Sequence, residues 1–449
     1  MAKKTKRSLW IIPGLIVLAG IFLALPPVWS RVSYHAQELY TSLKYKISPP
    51  EDAVFVPQTS TPDQVATSVQ QTLQAYTTAT SAATPTPLAP TLFPTSTPMA
   101  LPSSALLTGI TSEMQEWNNC APTTLSMYLS YWQWSGNQED IAPIVKPNNR
   151  DKNVMPYELQ DYVENNTSYQ AIVRIGGDMQ TLKALVNAGI PVMVEKGFYI
   201  PSTTANPNEG WMGHYELVMG YDDAQGVFFT HDSYLPLIAG DAIAKDLAFT
   251  YNASQKTFDI PYTDFYEDWR AFNYVFLVVY PATKQNDVMN LLGPWGDETT
   301  AFQIAHDRAI SETQTLTSPY DQFFAWFNLG SSLVKQNDFS GAAAAYDQAY
   351  TIYPNIDSEH RPWRMIWYQT GPYYAYYYSG RYSDVINLAT TTLNAMSEPI
   401  LEESYYWRAL AELKTNDSTD AILDLRKSLE VHPGFGPSES MLQQMGIAN

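Results

Sequence analysis

Apolar positions in the middle of the chain alternate between helical and strand spacing. From Asp178 to Ala188, Leu182, Leu185 and Val186 fall on one helical face, and Gly189 ends the run before the buried strand Ile190 to Val194. Gly213 to Tyr221 reads as a strand bounded by glycines, Asp222 to Gly226 as a turn, and Val227 to His231 as the returning strand of a hairpin. Phe265 to Trp269 precedes another apolar strand, Tyr274 to Tyr280. Upstream, Pro122 marks a helix start whose following residues place aromatic and aliphatic side chains on one face.

After about residue 300 the spacing becomes that of paired helices. Trp326, Leu329, Gly330, Ala342, Tyr346, Ala349 and Pro354 follow the large and small pattern of a tetratricopeptide repeat. Gly330 and Ala342 leave gaps that large residues of the partner helix fill, and Pro354 ends the second helix. Looser copies run through Tyr373, Tyr376, Gly380, Tyr382, Val385, Ile386 and Ala389, then through Tyr405, Ala409, Ala421, Ile422, Leu425 and Pro433. Ala342 and Val385 lie 43 positions apart, against about 34 for the repeat, so an insertion is expected around Ser358 to Arg364. Thr300 to Ser311 reads as a capping helix.

The first hundred residues lack a globular pattern. Lys3-Lys4-Thr5-Lys6-Arg7 precedes an uncharged apolar stretch, Leu9 to Leu25, long enough to cross a bilayer with the N-terminus inside. A cleavable signal peptide shares these features; an anchor is preferred because Leu25 to Ser30 lacks a small-x-small site. Arg31 to Lys46 suggests a juxtamembrane helix, and Pro57 to Ser103, rich in Pro, Thr and Ser, an extended stalk interrupted by a short helix from Asp63 to Tyr76. The boundaries are therefore 1–30 (basic tail and transmembrane anchor), 31–103 (juxtamembrane segment and stalk), 104–283 (α+β domain) and 284–449 (all-α repeat solenoid).

Charge and cysteine count narrow the functions. The net charge is −19, and removing the four basic side chains of residues 1–30 leaves −23 on the remainder. Such a surface repels phosphate backbones and argues against nucleic-acid binding. One cysteine permits no internal disulfide. That cysteine, Cys120, lies at the expected helix start, where the macrodipole stabilises a thiolate. Most lone cysteines are inert buried hydrophobes, so the case depends on its companions. His214 opens a strand and could act as the base, while the hairpin returns Asp232 beside it to fix the imidazole tautomer. Gln115 could stabilise an oxyanion together with the Cys120 N–H. Taken singly, these residues read as a strand-end histidine, a turn aspartate and a surface amide.

Gln115, Asn119-Cys120-Ala121-Pro122-Thr123 with Met127, Gly213-His214-Tyr215, Gly220-Tyr221-Asp222 and Asp232 together resemble the bacteriocin-processing (double-glycine leader) peptidase-like family of papain-fold cysteine peptidases. The resemblance spans roughly residues 104–283. Ala121 stands where the family usually has glycine, and Ser233 where it commonly has proline. The C-terminal third resembles tetratricopeptide-repeat proteins.

The expected chain is an α+β papain-like cysteine peptidase domain followed by a tetratricopeptide solenoid, with an N-terminal transmembrane helix and its C-terminal part extracytoplasmic. Cys120, His214, Asp232 and Gln115 would hydrolyse peptide bonds in a peptide or protein substrate without a cofactor. Phe198 to Met212 is the loop expected to border the groove. The repeats offer a surface for a protein partner, with Tyr373, Tyr374, Tyr376, Tyr377 and Tyr378 as candidates against a core role. Acyl transfer by the same thiol, or a silent adaptor working through its repeats, are the alternatives. His214 and His231 are the only close histidine pair on neighbouring strands, and no third ligand has zinc-site spacing, so no metal site is expected.

Overall fold

The computed structural model describes residues 101–200, 210–235, 249–396 and 398–448, with residues 55–58 and scattered positions between 32 and 47. Leu9 to Leu25, most of the stalk and the helix expected from Asp63 to Tyr76 lie outside the described residues. Among the described residues no helix is long and apolar enough to cross a membrane. The described positions between 32 and 47 are helical.

An antiparallel sheet of eight strands organises residues 104–281. Its strands are β1 (Ser104–Leu106), β2 (Tyr169–Arg174), β3 (Val192–Ile200), β4 (Gly210–Asp222), β5 (Val227–Asp232), β6 (Thr250–Asn252), β7 (Thr257–Pro261) and β8 (Phe276–Pro281). Spatial order is β2-β8-β3-β4-β5-β7-β6, with β1 paired to the end of β4. Alternation divides the side chains between two cores. Met193, Leu217, Leu277 and Val279 face α1 (Cys120–Tyr131), α2 (Gln138–Val145) and α3 (Pro156–Asn166). Val192, Val194, Val218, Phe276 and Val278 face α4 (Met179–Asn187), α5 (Tyr262–Arg270) and α6 (Gln285–Leu292).

Helix α4 forms as its spacing suggests. Asp178 caps it by accepting from the Thr181 N–H at 2.7 Å, and Gly189 takes the left-handed conformation past its end, φ 79°. The segment expected to be a groove loop is different at both ends. Phe198 to Ile200 and Gly210 to Met212 extend the β3–β4 hairpin, because register pairs Ile200 with Gly210; residues 201–209 lie outside the described residues.

Helices α7 (Glu298–Thr315), α8 (Pro319–Lys335) and α9 (Phe339–Ile352) begin the C-terminal array. A segment with the short α10 (Met365–Tyr368) follows, then the pairs α11 (Gly371–Tyr378) with α12 (Tyr382–Asn394) and α13 (Glu402–Lys414) with α14 (Ser418–Val431), and finally α15 (Gly436–Gln444). A Cβ on Gly330 would stand 2.8 Å from the Tyr346 ring, so glycine is what lets α8 and α9 approach. Tyr373 and Tyr376 are core residues, whereas Tyr374 and Tyr378 are exposed.

The sheet and the array share one core. Trp211 on β4, fully buried, stacks near Phe272 and Phe324, with ring centroids 6.1 and 5.9 Å away. Polar contacts surround this apolar centre. Asn328 donates to the Arg270 carbonyl at 2.8 Å, Asn273 to Ser332 Oγ at 3.0 Å, and Arg364 to the Trp211 carbonyl at 2.8 Å. Phe55 is also buried, packed edge-on against Tyr350 at 4.8 Å, while the Gln58 N–H donates to Asp384 at 2.7 Å. Residues 55–58 are thus held on the repeats.

Trp211→Ala is expected to cost about 3–5 kcal/mol, the usual range for emptying a large core site. Urea unfolding of the full chain checks this, and a loss below about 1 kcal/mol would mean the two modules do not share a core.

Candidate active site

Helix α1 starts at Cys120 itself, with Pro122 as its third residue, where a missing N–H costs nothing because the first turn has no acceptors for it. No side chain caps this end: the Asn119 amide is instead drawn to Gln138 Oε1 at 3.1 Å. The thiol therefore meets the uncompensated positive end of the helix. Thr124 Oγ1 donates to the Tyr215 carbonyl at 3.1 Å, fastening the cysteine helix to the strand that carries His214.

Sheet register sets the second pair. Glu216 on β4 faces Asp232 on β5, which puts His214 and Asp232 diagonally across the ladder on one face. His214 Nε2 lies 3.0 Å from Asp232 Oδ2, with both side chains buried. Asp232 Oδ1 accepts from the N–H groups of Tyr234 and Leu235 at 2.7 and 2.8 Å, which locks the carboxylate. The other ring nitrogen is available to Cys120, which lines the same small cavity as His214 and is within range of its charge.

The electrostatics follow from this geometry. Burial opposes a charged imidazole, but the Asp232 carboxylate and the contact with Cys120 outweigh it and raise His214 to about 10. Burial likewise pushes the Cys120 thiol up. The hydrogen bond and charge of His214, the Lys146 ammonium and the Tyr215 backbone N–H more than offset this, so the thiol is held below its ordinary value. Between these two values the favoured state is a thiolate beside an imidazolium.

Gln115 is buried and doubly tied to Ser233: its N–H donates to the Ser233 carbonyl at 3.0 Å, and its Oε1 accepts from the Ser233 hydroxyl at 2.8 Å. The serine that departs from the family pattern is therefore the tether between the Gln115 and Asp232 segments. His231 is separated from His214 by the sheet, since it pairs with Leu217 and so projects to the opposite face. That rules out the histidine pair as a metal centre.

Four contributors were missed in the sequence. Buried Gln138 accepts from Glu116 N–H, Asn119 Nδ2 and Thr123 Oγ1 and donates to the Met114 carbonyl, so one amide organises both loops of the site. Lys146 Nζ donates to the carbonyls of Asn118 at 2.8 Å and Asp151 at 3.0 Å. Lys196 pairs with Glu216 at 2.9 Å behind the His214 and Asp232 pair. Tyr368, from α10 of the repeat insertion, lines the same cavity as Cys120, His214, Glu195 and Tyr215. Lone polar residues such as these carry no sequence signature, although the insertion itself was visible as excess spacing. That cavity has about 10 Å³ of space, no more than one water's worth. Burial pushes the Glu195 carboxyl well up, so its neutral form lines the wall.

Residues 108–274 are similar to the Peptidase_C39 like family, and residues 323–356 to the Tetratricopeptide repeat. A solved structure described as a C39-like peptidase from Bacillus anthracis is 17% identical, over 39% of this chain and 97% of that one, with a TM-score of 0.28. No curated protein matches the chain. The family similarity supports a function of cysteine-peptidase type, and the repeat similarity supports protein interaction.

The pH profile of Cys120 alkylation in the full chain should rise below the ordinary thiol range. His214→Ala removes the main group lowering the thiol and leaves burial to raise it, so the profile moves to higher pH. The rate at neutral pH then falls about tenfold for every pH unit by which the midpoint of the profile rises. Superimposable profiles would remove the basis for an ion pair.

Proposed function

We propose that the chain is a membrane-anchored, extracytoplasmic cysteine peptidase whose repeats bind a partner or the substrate. The observation that carries this reading is the series Cys120, His214 and Asp232, with Cys120 and His214 lining one small cavity and the imidazole 3.0 Å from the carboxylate. The Cys120 thiolate attacks a peptide carbonyl, and the imidazolium of His214 then gives its proton to the leaving amine. Water, deprotonated by His214, hydrolyses the thioester. Asp232 holds the imidazole, and the Gln115 amide and the Cys120 N–H stabilise the oxyanion.

Anchoring and orientation rest on Leu9 to Leu25 and the basic cluster before it. Tyr368 stands in the cavity wall beside the partly exposed Cys120, so the repeat segment borders the path a peptide takes to the thiol.

Cys120→Ala should abolish cleavage of an unfolded protein substrate, and Gln115→Ala should lower kcat about a hundredfold. Mass spectrometry of the products, with and without an added amine, separates hydrolysis from acyl transfer; persistent cleavage by Cys120→Ala would sink the thiol mechanism. Tyr368→Ala should speed alkylation by a bulky maleimide more than by iodoacetamide, and equal effects on both would mean Tyr368 does not restrict access.

A further inference from the structure

Where the sheet module meets the last repeat, Asp151 lies in the loop before α3, Glu402 begins α13 and His432 follows α14. Folding brings one ligand-capable atom of each to within 4.8 Å of the other two. Asp151 and Glu402 are 2% and 3% exposed. His432 Nδ1 is 2.7 Å from Glu402 Oε1, so those two groups already meet.

Two further observations distinguish this group from an ordinary acidic patch. Glu403, next to Glu402 in the chain, is only 7% exposed and adds a third buried carboxyl. Asn153, 4% exposed, keeps Oδ1 buried with no hydrogen-bond partner among the described residues, while its N–H donates to Asp151 Oδ1 at 3.0 Å. Glu158 adds a fourth carboxyl to the neighbourhood. Asp151, Glu402 and Glu403 put three buried carboxyls at this seam beside His432, an excess of acidic side chains. Burying such an excess is unfavourable unless it is neutralised.

We propose that Asp151, Glu402 and His432 bind one divalent cation of the zinc class, which fastens the repeat array to the sheet module. An imidazole with carboxylates suits zinc, whereas calcium prefers oxygen ligands alone and magnesium keeps its waters. Around four-coordinate zinc, ligand atoms lie about 3.3 Å apart, as bonds near 2.0 Å require. Small side-chain rotations would close the gap from 4.8 Å. The cation takes the place of the proton between His432 and Glu402, and its charge offsets the excess. Lys146 links the site to the thiol, since its ammonium bridges the Asp151 and Asn118 carbonyls two residues before Cys120.

The test is calorimetric titration of Zn²⁺ into the full chain bearing Cys120→Ser, which removes the thiol as a competing ligand. One ion per chain and a rise in Tm are expected, with Glu402→Gln and His432→Gln each weakening binding more than about tenfold. Glu402→Gln removes one carboxylate from a crowded acidic group, so its metal-free Tm should not fall far below the parent's. A cobalt absorption band typical of four or five nitrogen and oxygen ligands in the parent supports the same site without any variant at the cluster. Absence of stoichiometric binding, binding unchanged in both variants, or displacement of zinc by a tenfold excess of Ca²⁺ would overturn the assignment.

Discussion

The site depends on the contact between His214 and Asp232, and that contact depends on a strand register. A single-residue slip of β5 along β4 would turn Asp232 to the other face and give the imidazole no carboxylate. Several local features hold the register. Phe228 and Phe258 are buried on the strands, Thr230 Oγ1 donates to Glu216 at 2.8 Å, and the two N–H groups after Asp232 fix its second oxygen. The Lys196 and Glu216 ion pair sits in the same layer, fully enclosed, and adds positive charge near Asp232. A buried pair like this contributes less to net stability than to uniqueness, because desolvation consumes most of the attraction.

The repeat array is joined to this chemistry physically. Its helices share the Trp211 core, its insertion supplies Tyr368, and its last pair brings Glu402, Glu403 and His432 against the loop that Lys146 fastens to Asn118. A repeat array acting only as a spacer would not need to contribute a cavity wall beside the only thiol. The array instead supplies part of the wall around Cys120 and His214.

Much of the fold was legible because local signals and tertiary packing agreed. Asp178 and Gly189 bracket α4, the turn at Asp222 to Gly226 returns β5 beside β4, and Gly330 with Tyr346 fits two helices together. Cys120, His214, Asp232 and Gln115 were legible as types in a particular order, and the structure brings the first three into one chain of contacts and ties Gln115 to Ser233. What could not be read was the fold-back of the insertion, because an extra stretch of sequence says nothing about where α10 docks. The role of Gln138 and the meeting of Asp151 with His432 were equally hidden: both depend on distant segments with no shared period. The expected groove loop is strand at both ends because Trp211 and Met212 continue β4, whose partner β3 lies across residues 201–209.

His214 is an imidazolium across the neutral range because Asp232 stands beside it, and the thiolate of Cys120 depends on that charge. Observation of the His214 ring by NMR in the full chain, followed through a pH titration, tests this most directly. The expected ring is still protonated well above neutrality, loses its proton near 10, and titrates lower in Asp232→Asn. A ring that titrates at the ordinary value of about 6.5, unchanged by the Asp232 substitution, would contradict it.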